Sequence, residues 1–221
     1  MIFNGVKTGG SRDIVTGVVA SGQDVAFGAF VKRAADGYIM MTNSGSNVAG
    51  YIGVAADDAV GKDVDGFYSA GDVVPIITSG IANAWLLGGE VVCTGNYLKF
   101  PGTLGVGTEG VGVLAPETAG TKTVYSVAKY VGRNDAGNAG YAQAVSAISG
   151  KTLTCSGLVA SLDLAEGDYV VIDSNEAAEV NMVDDPAAST TTFTVAKTPL
   201  ASHATYIKVY KLVQIPVQLV I

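Results

Sequence analysis

The chain has 221 residues, 48% of them hydrophobic and only 15% charged, with a formal net charge of -7 and a sequence pI near 4.6. That length and composition supply a core for one or two folded domains and exclude disorder as a description of the whole. The acidic balance argues against nucleic acid as a partner, since phosphates would repel this surface, and no apolar window reaches the roughly 18 to 20 residues of a membrane-spanning helix.

Residues 1–13, MIFNGVKTGGSRD, are polar and glycine-rich and read as an arm rather than as core. They lack the basic start and apolar stretch of a secretory signal. From Ile14 the chain becomes short apolar runs broken by turn residues. IVTGVVA precedes Ser21-Gly22, DVAFGAFVKR precedes Asp36-Gly37, and YIMMT precedes NSGSN. AGYIGVAA, an acidic loop DDAVGKDVDG and FYSAGDVVPII follow. The apolar run resumes after Ser79-Gly80, then EVVCTGNYLKF, EGVGVLA and TVYSVAKYVGR complete a first series that ends near residue 134. Turn signals at about 8 to 12 residues predict a β-sandwich or barrel. In AGDVVPII, Asp72, Val74 and Ile76 share one face while Val73, Pro75 and Ile77 share the other. Both faces are nearly apolar, which predicts a strand covered on both sides, either by core and neighbouring strands or by core and another molecule. Pro75 cannot donate to a ladder and predicts an edge strand or a bulge. Trp85, the one tryptophan, is expected to anchor the core.

A turn-rich junction, NDAGNAG, opens a second series. YAQAVSAI (141–148) fits either a short helix or a strand with Tyr141, Gln143 and Val145 on one side. KTLTCSG, GDYVVID, AAEVNMV, TTTFTVAK and ATYIKVYKLV add five strand-like pieces and predict a second, small β-barrel-like domain. The closing strand, Gln214–Ile221, is expected to return to the first domain, making the second domain an insertion. The organisation expected is therefore an arm (1–13), a β-barrel or sandwich (14–134, completed by 214–221) and a second β domain (135–213).

Chemical motifs are weak. Gly105, Gly107 and Gly110 form G-x-G-x-x-G, but the strand-like VGVLAP follows where a dinucleotide site needs a helix. Ser149–Thr152, SGKT, has Val145 where a phosphate loop needs glycine, and reads as a turn. Asp57, Asp58, Asp63 and Asp65 lack EF-hand spacing and read as a solvated loop, with a structural calcium site as the lesser alternative. His203, the single histidine, has no G-x-S-x-G elbow to serve and reads as a loop or cap residue. Asp184-Asp185 before Pro186 reads as a turn. Cys93 and Cys155 have no metal spacing and read as buried free thiols of a protein made in a reducing cytoplasm, a single disulfide being the alternative. No catalytic residue, cofactor or metal is expected.

Residues 25–130 nevertheless carry a pattern: the Asp36-Gly37-Tyr38 turn, then YIGVAADD, AGDVVPIITSG, a glycine-flanked strand and EGVGVLAPE. This order resembles the head decoration, or capsid cement, proteins of tailed viruses. The resemblance implies an all-β fold with a β-tulip-like barrel and no enzymatic activity. It implies a virion protein on the outer capsid surface, partnered by the major capsid protein, commonly as a homotrimer that stabilises the shell. Residues 2–14, with Ile2, Phe3, Val6 and Ile14 as contacts, are expected to order on the capsid, by pairing of a free strand with a sheet edge. Segment 135–211 departs from the short members of that family. Two other classes fit the same residues: a tail-tube or other virion β-protein, and a surface adhesion or carbohydrate-binding module whose groove Tyr38, Tyr51, Tyr68 and Trp85 would line, core and interface packing being the readier reading of those four.

Overall fold

The computed structural model describes residues 12–41, 50–57, 66–102, 104, 111–174, 177–187, 190–199, 203 and 206–220. Among these the chain is all-β, without an α-helix. The first strands are β1 (Ile14–Val18), β2 (Val25–Ala26), β3 (Phe30–Arg33), β4 (Tyr38–Met40) and β5 (Tyr51–Ala55). Next come β6 (Phe67–Tyr68), β7 (Val73–Ile77), β8 (Ile81–Leu86), β9 (Val91–Val92) and β10 (Tyr97–Lys99). β11 (Ala115–Pro116), β12 (Ala128–Tyr130) and β13 (Ala136–Gly137) follow. The last are β14 (Ala142–Ser149), β15 (Thr152–Cys155), β16 (Tyr169–Asp173), β17 (Ala178–Asp185), β18 (Thr192–Val195), β19 (Lys208–Lys211) and β20 (Val213–Leu219).

Two five-stranded sheets, β1-β7-β5-β3-β4 and β11-β10-β12-β20-β8, form a sandwich. Alternation decides which residues meet between them: Phe30, Val54 and Ile77 from the first sheet pack on Ala84, Leu86, Leu98, Ile215 and Val217 from the second. β20 sits between β12 and β8 in that second sheet, although the whole barrel series separates it from β12 in sequence. The type of turn that opens β7 explains its glycine. Asp72 N–H donates to Ser69 O at 2.9 Å, and Gly71 takes φ 89° between them, which a side chain would resist.

β14, β15, β18, β17, β16 and β19 close into a six-stranded barrel. The stretch 141–148 is thus strand, not helix: Val145 points into the barrel core with Leu153, Val170, Ile172, Phe193 and Val209. Its neighbours Ala144 and Ser146 are exposed on either side of it, the alternation of a pleat rather than the three-to-four-residue spacing of a helix.

β16 joins the two bodies. Val170 and Ile172 face the barrel interior, while Tyr169 and Val171 face outward into a third apolar cluster with Phe67, Tyr68, Val74, Ile76 and Trp85. All five residues of β16 are buried. Tyr169 also donates its hydroxyl to Gly66 O at 2.6 Å, and its ring packs against Phe27, Phe67 and Trp85. Lys197 of the barrel side pairs with Asp24 at 2.7 Å and lies 4.2 Å from the Phe67 ring centroid. Gly88 marks a close approach of the two backbones, since a Cβ there would stand 2.3 Å from Lys211 O and 2.4 Å from Tyr141 O. Trp85 is core as expected, its indole N–H donating to Phe27 O.

Three expectations need correcting. Pro75 lies on neither an edge strand nor a bulge, because β7 is flanked by β1 and β5. Its carbonyl accepts from Ala56 N–H at 2.8 Å, so its nitrogen also points toward β5, just where that ladder ends and no donor is required. Of the two coverings expected for β7, the one by core and neighbouring strands fails at one end: Val74 and Ile76 are fully buried, but Val73 is 56% exposed. Asp184 and Asp185 end β17 rather than forming a turn, although the Asp185 carboxylate does accept from Ala187 N–H at 3.0 Å as the chain leaves the strand.

Candidate assembly surface

β1 pairs antiparallel with β7, setting Ile14 opposite Ile77, Thr16 opposite Pro75 and Val18 opposite Val73. Residues directly opposite share a face. Inboard, at Ile77, Val54 and Phe30, that face is the sandwich core. Outboard, the second sheet no longer covers it, and Ile14 (56%), Val18 (45%) and Val73 (56%) stand in solvent beside the exposed Thr16 and half-buried Pro75. None of these five is charged. The strip is an interior face continued beyond its lid.

The edge of β1 is partly free as well. Thr78 N–H donates to Asp13 O on the β7 side, so odd-numbered groups face β7 and those of Ile14 and Thr16 face away. Val19 bridges Tyr38 of β4, which leaves Ile14 to Thr16 as the open part among the described residues. Of the expected contact residues, Ile14 lies on this strip; Ile2, Phe3 and Val6 lie outside the described residues. Alternation alone could not have found Val18 and Val73, because it does not say where a covering sheet stops.

The other candidate residues fall elsewhere. His203 lies outside the strands, as expected of a loop residue, but its side chain is buried, with Nε2 3.2 Å from Glu179 Oε1 and Nδ1 3.0 Å from Ser174 Oγ. The trio has the connectivity of a nucleophile, base and acid, and sequence spacing could not show it because the three come from different elements. Its environment argues for structure instead. Ser174 Oγ donates to Ala177 O at 3.1 Å and accepts from Ala177 N–H at 3.2 Å. That turn takes the one hydroxyl proton, so the oxygen faces the imidazole as an acceptor, the reverse of what an activated nucleophile needs. Serine, histidine and glutamate are all buried, and the cleft of about 480 Å³ on the barrel is lined instead by Lys151, Glu166, Gly167, Met182, Val183, Asp184 and Ala196.

Ser149–Thr152 is the β14–β15 hairpin turn, with Gly150 at φ 57°. Gly105, Gly107, Gly110, Asp58, Asp63 and Asp65 lie outside the described residues. Among the described residues, no group of three or more His, Cys, Asp or Glu side chains could hold a metal. Tyr68 and Trp85 are buried and Tyr38 and Tyr51 half-buried against the core clusters, so these four do not line a groove. Both cysteines carry free thiols; Cys155 is buried, but Cys93 is exposed, against expectation. β9 is only two residues long, so the chain leaves the core before Cys93 can be enclosed.

No protein-family model, curated protein or solved structure matches the chain.

Proposed function

We propose that this protein is a capsid decoration, or cement, protein: a non-enzymatic β-scaffold that binds the outer surface of an icosahedral head as an oligomer and staples adjoining major capsid protein subunits. The observation that carries the reading is the uncharged strip of Ile14, Thr16, Val18, Val73 and Pro75, which continues directly from residues 1–13. A strip two strands wide and five residues long spans roughly 10 by 17 Å, far below the area of a stable two-body interface. A contact so small suits a lattice, where each copy is held at several points and weak contacts add by effective concentration.

The test is electron microscopy of heads with and without the purified protein. Wild-type protein is expected to add density to the outer surface and raise the temperature at which heads burst. Val73→Asp is expected to fold normally and leave the heads bare. Heads that gain no density from the wild-type protein overturn the reading.

A further inference from the structure

The barrel turns only part of its wall toward the sandwich. In the closed order β14-β15-β18-β17-β16-β19, the consecutive strands β17, β16 and β19 supply the residues that meet it: Ala178, Tyr169 and Val171, with Val180, Met182 and Tyr210 packed alongside. The opposite arc, β14, β15 and β18, points away. Leu153, Cys155, Phe193 and Val195 fill the barrel from that arc. Alternation therefore sends Thr152, Thr154, Thr192 and Thr194 outward, each partly exposed, with Ala144 and Ser146 exposed beside them on β14. Thr152 lies opposite Thr194 and Thr154 opposite Thr192. This outer wall is uncharged and made of small side chains.

Where the barrel stands relative to the apolar strip follows from β7. Val73 and Pro75 share the strip's face of that strand. Val74 and Ile76 take the other face, and lie in the apolar cluster that holds Tyr169 and Val171 of β16. The strip and the cluster that seats the barrel therefore occupy opposite faces of one strand. That seat is firm: all five residues of β16 are enclosed, and Lys197 pairs with Asp24 across the junction at 2.7 Å. The barrel cannot swing to the strip's side without giving up this burial.

We infer, resting on the shell-binding reading, that the barrel is a display module: with the strip seated on a shell, the β14–β15–β18 wall is the part of the protein that faces the surrounding medium. The chemistry of the two surfaces agrees with this division. Ile14, Val18 and Val73 gain by leaving water, whereas threonine and serine hydroxyls are satisfied by water where they stand. The exposed Leu158 and Tyr206 of the barrel sit on separate connections, after β15 and before β19, and make no second paired strip to compete with the first.

Thiol labelling of decorated heads tests it, in a Cys93→Ser background that removes the exposed native thiol and leaves only the buried Cys155. Val73→Cys reports on the strip and Ala144→Cys on the wall, and electron microscopy first establishes that each variant adds density to the heads. On heads, Val73→Cys is expected to label about tenfold or more slower than in the free protein, and Ala144→Cys within about twofold of its free rate. A short peptide tag inserted after Gly150, in the exposed β14–β15 turn where an added Cβ meets nothing within 4 Å, is expected to be reached by antibody on decorated heads. Decorated heads that shield Ala144→Cys overturn this inference alone, as does a folded tagged protein that no longer decorates. Heads that take up no protein, or that leave Val73→Cys open, overturn the shell-binding reading beneath it as well.

Discussion

β1 and β16 are each five residues long, IVTGV and YVVID, and each offers apolar side chains to both of its faces. Yet β16 is wholly buried while β1 is mostly exposed. The barrel closes over one face of β16 and the sandwich covers the other; β1 lies where the second sheet has run out. Burial is decided by what packs outside a strand as much as by its own letters. The difference separates two kinds of apolar residue in this molecule: those the fold uses, and those it leaves over for contact with something else.

The same substitution on β16 and on β7, the strand paired with β1, sharpens that distinction. Val171→Asp places an unpaired carboxylate among Tyr169, Phe67 and Trp85 and is expected to cost about 4 kcal/mol or more. Denaturant titration should show a large fall in the midpoint, with both bodies affected because they share that cluster. Val73→Asp puts the same group into solvent and is expected to change stability by less than about 0.5 kcal/mol. Equal losses from the two would break the comparison.

The buried trio at the barrel ranks next. His203→Ala removes the group facing both Glu179 and Ser174, takes one polar contact from a buried carboxylate, and is expected to cost about 2–3 kcal/mol. Hydrogen exchange should speed up in β16 and β17, which carry Ser174 at their turn and Glu179, and remain slow in β8 and β20. Uniform acceleration throughout would instead mean that barrel and sandwich unfold as one unit.

How much of this was legible beforehand follows the same division. Turn punctuation and period-two alternation were enough for the all-β class and for a small barrel among the later strands. The return of the closing strand to the first series was an expectation of the sequence, but its neighbours β12 and β8 were not in reach of local pattern, and Pro75 is tolerated inside a sheet only because β5 stops at that point. His203 was opaque for a related reason. Its partners come from the β16–β17 turn and from β17, and nothing in TPLASHATY points to either. The apolar strip was half visible, since Ile14 was singled out while Val18 and Val73 needed the limit of the covering sheet.

The two thiols offer the smallest effect. Burial pushes the Cys155 thiol from 9.0 up to about 11, and Cys93, though exposed, is also raised, first by its hydrogen bond to Asp135 and then by that carboxylate's charge. In the native protein near neutral pH a thiol reagent is expected to label Cys93 alone, slowly, and to reach Cys155 only in denaturant. Because the folded-state pKa of Cys155 lies above its unfolded value, its contribution to stability is complete below pH 9 and declines as pH rises through about 11. Cys155→Ser should therefore flatten part of the alkaline limb of a stability profile. The rest should persist, since burial also raises the Tyr51 and Tyr210 phenols. Cys155 labelling as fast as Cys93 in the native state would show that the barrel opens locally far more readily than its closed hydrogen-bonded strands imply.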